Sequence, residues 1–249
     1  MKTIGIKVYA LAMIGFGLLG LASGDFAAVW QPVPDTLPGR MILAYIVAAI
    51  FLASGIALFV QRTAATAALV LAVLFGLDVV LLHAWLVPLH PTVVQAYAGV
   101  AEQLALVCGA VIAYGRAVPV ARFVFGLCLL AFGAAHFAYL PQTAAYVPGY
   151  LPPSQMFWAY ATGIAHVAAG LAILSGVLAR PASILLTIMF AGFSLLVHLP
   201  NLIGTPSHFN WAANAMNLAL FGTAWIVMDS YAPRDQVTPP STTIVEPTT

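Results

Sequence analysis

Residues 94–138 read VQAYAGVAEQLALVCGAVIAYGRAVPVARFVFGLCLLAFGAAHFA. Two apolar runs, 94–114 and 120–138, meet across a short link that carries Arg116, with Arg122 just inside the second run. About 20 apolar residues wound as an α-helix, at ~1.5 Å per residue, cross the ~30 Å hydrocarbon core of a bilayer. So short a link returns the chain at once, so the stretch is a pair of antiparallel membrane helices.

Working outward, further apolar segments lie at 7–25, 41–60, 64–84, 156–177, 181–199 and 211–228, which makes eight in all. Of the 249 residues 63% are apolar and 6% charged. Soluble domains are about a quarter charged, so this chain cannot cover a water-facing surface. The net charge of +1 gives no basis for nucleic-acid binding or for a polybasic membrane-surface mode. Cys108 and Cys128 both fall inside apolar runs, which supports neither a disulfide framework nor a zinc cluster. Lys2 and Lys7 followed by the run Tyr9 to Ala22 resemble a signal peptide. The run has a partner deeper in the chain, so it is read as a retained first membrane helix.

Two kinds of connection alternate. Short ones carry arginine: Gln61-Arg62-Thr63, Arg116 to Arg122, and Ala179-Arg180-Pro181. The others hold several prolines, which interrupt helices: Gln31 to Arg40, Pro88 to Pro91, Pro141 to Pro153 and Pro200 to Pro206. Lys2, Lys7, Arg62, Arg116, Arg122, Arg180 and Arg234 thereby share one side, and Arg40 alone falls on the other. That bias places the arginine face and both termini in the cytoplasm. Trp30, Trp85, Trp158 and Trp211 sit near the proline face, as an aromatic belt would. The tail 231–249 is rich in Pro and Thr and reads as a disordered cytoplasmic extension.

A shift of 115 residues brings one half onto the other: Pro38 onto Pro153, Gly55 onto Gly170, Phe75 onto Phe190, His83 onto His198 and Pro91 onto Pro206. A slightly smaller offset lays Asp25-Phe26-Ala27 on His136-Phe137-Ala138. The expected architecture is all-α, two parallel four-helix repeats at 1–117 and 118–230 related by a pseudo-two-fold axis along the membrane normal. Gly55 and Gly170 would then mark equivalent close helix approaches.

Polar side chains are expensive in lipid and turn to the bundle interior. Gln95, Gly99 and Glu102 share one helical face, and the 115-residue shift sets Asn210, Asn214 and Asn217 on an equivalent one. Two such stripes either line a cavity open on the proline side or form interhelical hydrogen bonds worth ~0.6–2 kcal/mol each. Asp78 and Glu102 are the acids inside spans and are candidate proton carriers. Asp78 and His83 are five apart, about 140° round an α-helix, so no direct pair is expected. His83, His136 and His198 lie near the proline-side helix ends and are the candidate ligands of a metal or haem iron. His166 lies near mid-membrane on a face with Gly163 and Gly170, a further candidate for ligand binding. No phosphate loop, dinucleotide fingerprint or serine-nucleophile motif is present.

Phe132-Gly133-Ala134-Ala135-His136-Phe137, Tyr150-Leu151-Pro152-Pro153, Tyr160-Ala161-Thr162-Gly163 and His198-Leu199-Pro200 resemble the DoxX family of small bacterial four-helix membrane proteins. The first half follows that outline through Leu37-Pro38-Gly39-Arg40 and His83. The resemblance implies a multi-pass protein of the bacterial cytoplasmic (inner) membrane. A branch similar to DoxD forms the membrane subunit of a thiosulfate:quinone oxidoreductase. By resemblance the chain is then a redox-associated subunit with a partner subunit, binding a lipophilic molecule such as a quinone. The usual family member is a single four-helix unit; the doubled unit departs from it. A haem- or metal-binding oxidoreductase and a small-solute transporter are the alternatives.

Overall fold

The computed structural model describes residues 4–232. Lys2, Arg234 and residues 233–249 of the expected tail lie outside the described residues. Eight helices are long and apolar enough to span a membrane: α1 Ile4–Ser23, α2 Arg40–Leu58, α3 Ala64–Leu89, α4 Val94–Tyr114, α5 Val118–Ala138, α6 Gln155–Ser175, α7 Ala179–Gly204 and α8 His208–Ser230. The described residues contain helices, turns and bends but no strand. The chain is an all-α, multi-pass membrane protein.

Each span is apolar on nearly every side, because the faces that do not pack meet lipid rather than water. Leu11, Ile42, Val80, Leu127, Ile164 and Leu185 are exposed, as lipid-facing side chains should be. The packed faces carry small residues instead, which lets backbones approach. A Cβ on Gly55 would lie 2.9 Å from the Ala10 carbonyl, and one on Gly170 would lie 2.8 Å from the Gly126 carbonyl. Both glycines thus sit where two helices touch: α1 with α2, and α5 with α6.

The pairings follow a pattern. Helix α1 packs on α2, α2 on α3, α3 on α4, and α4 on α5; α5 packs on α6, α6 on α7, α7 on α8, and α8 on α1. Exchanging each helix for the one four places on maps every pairing onto another, and the remaining α4–α8 contact onto itself. A ring of eight helices crossed by α4–α8 is the result.

Helices α3 and α7 are longer than the sequence suggests, running 26 residues each through Pro88 and Pro200. Proline was expected to end both. Each helix instead contains a π-turn, Val79–His83 in α3 and Ser194–His198 in α7. The wider turn has already broken the regular i→i−4 ladder, so Pro200 follows it at little further cost. The π-turn also revises the geometry at Asp78. A π-turn brings residue i+5 back over residue i, and His83 Nδ1 lies 3.2 Å from the Asp78 main-chain carbonyl. The Asp78 carboxylate turns elsewhere, accepting from Gln31 Nε2 at 3.2 Å.

On the proline face, Arg40 is held by Asp25 at 2.6 Å and by Asp35 at 3.4 Å. Partial burial works against the charge on Asp25. The Phe26 amide and the Arg40 guanidinium outweigh it and hold the carboxyl below its ordinary range. The one basic residue on this face is therefore neutralised, which deepens the charge asymmetry between the two faces. On the arginine face, Arg122 donates to the Ser230 hydroxyl at 2.8 Å and to the Ser230 carbonyl, and stacks 3.9 Å from the Tyr231 ring. A guanidinium at the end of α8 satisfies carbonyls the helix leaves open.

Candidate functional site

The last four helices do not close completely. Between α4, α5, α6, α7 and α8 lies a cavity of about 830 Å³, roofed on the proline side by residues of the short helix Leu140–Tyr146 and the loop after it. Ligand sites are typically ~300–1,000 Å³, mostly apolar, with a few placed polar groups. The wall fits that description. Phe132, Phe190, Phe193, Met189, Leu196 and Leu220 form its apolar part.

The polar part gathers most of the residues singled out from sequence. Gln95 and Glu102 enter from α4, Asn210 and Asn217 from α8, His136 from α5, His166 from α6 and His198 from α7. The i, i+7 spacing on α4 and on α8 places each pair on one side of its helix, and the α4–α8 contact turns both to the same space. Three candidates stand apart. Asn214 is half-buried beside the cavity but off its wall. Asp78 and His83 are buried among the first four helices.

His166 is the most enclosed of the group, 1% exposed. Its Nδ1 lies 2.9 Å from the Thr162 carbonyl one turn back, and His136 makes the same 2.9 Å contact to Phe132. The two imidazoles are 4.7 Å apart, centre to centre. Trp30 reaches in from the loop after α1, borders the cavity together with Glu102 and stacks on Phe209 at 5.5 Å. The Trp30 carbonyl in turn accepts from Gln103 Nε2 at 2.7 Å. Trp30 is thus part of the cavity wall, whereas Trp85 and Trp211 remain half exposed, as belt residues would be.

The two asparagines spend their amide groups on the protein. Asn217 Nδ2 donates to Ser194 Oγ at 2.6 Å and lies 3.3 Å from the Phe190 carbonyl, pinning the start of the α7 π-turn. Asn210 Nδ2 donates to the Thr205 carbonyl at 2.7 Å and closes the α7–α8 loop. On α8, Asn210 and Asn217 thus bond to neighbouring elements and also border the cavity.

The histidines proposed for metal or haem are divided. His136 and His198 share the cavity, and His83 does not. Among the described residues no group of three or more His, Cys, Asp or Glu side chains is placed to hold a metal ion. Cys108 and Cys128 are buried and free.

Among the described residues of the first four helices lies a void of about 10 Å³, bordered by Phe16, Phe26, Gln31 and Phe51, barely the room one water needs. The aromatic clusters of the two sets of helices can be compared residue by residue. Phe16, Phe51 and Phe75 stack at 5.5 and 5.3 Å. At offsets of 116, 115 and 115 residues, Phe132, His166 and Phe190 form a like cluster in the last four helices, with ring contacts of 5.7 and 5.7 Å. A histidine stands where the first set has phenylalanine. That exchange is present in the sequence as position 51 against position 166, a second mark on His166 beside its place on a face with Gly163 and Gly170. Tyr139, Thr162 and Asn201, which also line the cavity, carried no such mark.

Residues 117–199 match the family model described as DoxX, which places the match on α5, α6 and most of α7. No curated protein and no solved structure matches the chain.

Proposed function

We propose that this DoxX-like membrane protein binds one lipophilic small molecule with a polar head, of the quinone class, in the cavity among its last four helices. On this reading it serves as a redox-associated membrane subunit rather than as a catalyst alone. The observation that carries the reading is the convergence of Gln95, Glu102, His136 and His166 on a single apolar space of about 830 Å³. Lipid has no use for such groups, and four of them around a void are more than interhelical hydrogen bonding requires. Helix α4 completes the site from the first half, so the two halves work as one unit. We read 1–117 and 118–230 as two copies of one four-helix repeat. Supporting this are the pairings that map onto each other and the π-turns, whose final histidines, His83 and His198, are 198 − 83 = 115 residues apart. The arginine face is read as cytoplasmic.

Photo-crosslinking with a saturating quinone analogue tests the site. Label is expected on peptides of α4 and α8 that border the cavity, with competition by unlabelled quinone. Label confined to other helices would remove the proposal's basis.

Because phenylalanine fills the counterpart space in the first half, one ligand per chain is expected in native mass spectrometry. Two bound molecules per chain would contradict the filling argument.

A further inference from the structure

The cavity's deep histidines, with Asn217 and Thr162, share a property that neither their identity nor their spacing reveals: each spends its donors on the protein. His136 and His166 direct Nδ1 at the carbonyls of Phe132 and Thr162. A carbonyl only accepts, so each Nδ1 must carry the proton, and the neutral ring leaves Nε2 as an acceptor. Asn217 is fixed in the same way. Its Nδ2 faces the Phe190 carbonyl and Ser194 Oγ, which settles the orientation of the amide and leaves Oδ1 to accept. Glu102, beside the Trp30 side chain, likewise only accepts in its carboxylate form. Thr162, also on the wall, donates its hydroxyl to the Trp158 carbonyl at 2.8 Å. Groups with donors to spare sit nearer the mouth, where the Tyr139 hydroxyl accepts from the Gln95 backbone N–H and retains its own proton.

We infer that the cavity selects a ligand whose head donates hydrogen bonds: a phenol, or the reduced, dihydroxy form of a quinone in preference to the oxidised form. A quinone carbonyl brought to this wall would set acceptor against acceptor. A hydroxyl would donate to the Nε2 and Oδ1 atoms left open by those bonds. The inference rests on the lipophile-binding reading above and adds to it the hydrogen-bonding sense, and hence the redox state, of the head.

The test uses the purified full-length protein in detergent and two probes, 4-nonylphenol and 4-nonylanisole. They share ring and tail and differ only by methylation of the oxygen, and neither needs an oxidant. The phenol is expected to displace the photoreactive quinone analogue about tenfold or more better than the anisole, the ratio that one hydrogen bond to a buried acceptor supplies. In His166→Phe, the residue found at the first half's counterpart position, the preference should collapse while anisole binding persists. If that variant does not fold, His136→Leu should lower the preference in the same sense. Equal displacement by both probes in the unmodified protein overturns the acceptor-wall inference and leaves the cavity reading standing. Displacement by neither, with no label on α4 or α8, overturns the reading beneath it.

Discussion

Gly192→Phe should abolish ligand binding while leaving the fold intact. Gly192 lines the cavity from α7, and a Cβ built on it meets nothing within 4 Å. An aromatic side chain there grows into the space a ligand would occupy. Its replacement of a mid-helix glycine also removes ~0.5–1 kcal/mol of backbone entropy cost, so thermal stability should hold or rise. Affinity for the quinone analogue should fall by about a hundredfold or more, which is ~2.7 kcal/mol of binding. Gly204→Phe is the control, since that position is equally open but does not border the cavity. Unchanged binding in Gly192→Phe, with the control also silent, would mean that the ligand sits elsewhere.

The second large effect is on stability. A Cβ on Gly222 would lie 2.5 Å from the Tyr9 backbone nitrogen and 2.7 Å from its Cα. Main chain cannot swing aside as a flexible side chain can. Helices α1 and α8 must part, and with them the contact that joins the first helix to the last. Tyr9 is itself fully packed and donates its hydroxyl to the Leu106 carbonyl on α4 at 3.0 Å, so the disturbance reaches a second interface. Overpacking typically costs ~1–3 kcal/mol, and Gly222→Leu should reach or exceed the upper end. The melting temperature in detergent, followed by intrinsic fluorescence, should drop clearly, with Gly222→Ala in between. Gly76→Leu, placed in open space, should melt like the unmodified protein. Indistinguishable melting of all four proteins would show that α1 and α8 are not this close.

Hydropathy and the alternation of arginine links with proline loops carried the eight spans, because lipid imposes length and polarity on every segment independently. The stripe spacing on α4 and α8 gave facing walls, since Gln95 and Glu102 need only a regular helix to share a side. Three things were not legible. The π-turns leave no mark in composition, so the contact of His83 with the Asp78 carbonyl was hidden behind an assumed regular helix. Trp30 looked like a belt residue because nothing in a sequence says that a loop folds inward. The position of the large cavity was also hidden: a 115-residue match in sequence says nothing of how fully each bundle packs, and the cavity is bordered by many side chains from five helices.

The π-turn in α7 has a further bearing on what change the protein tolerates. One additional residue in a helix advances everything beyond it by about 100° around the axis. From Leu199 onward, α7 thus presents to the bundle a side that an uninterrupted coil would show to lipid. Loss of a single codon within 194–198 would re-index that whole end, swinging His198 and Asn201 away from the mouth of the cavity while hydropathy stayed the same. Substitution is cheap in this stretch; a change of length is not.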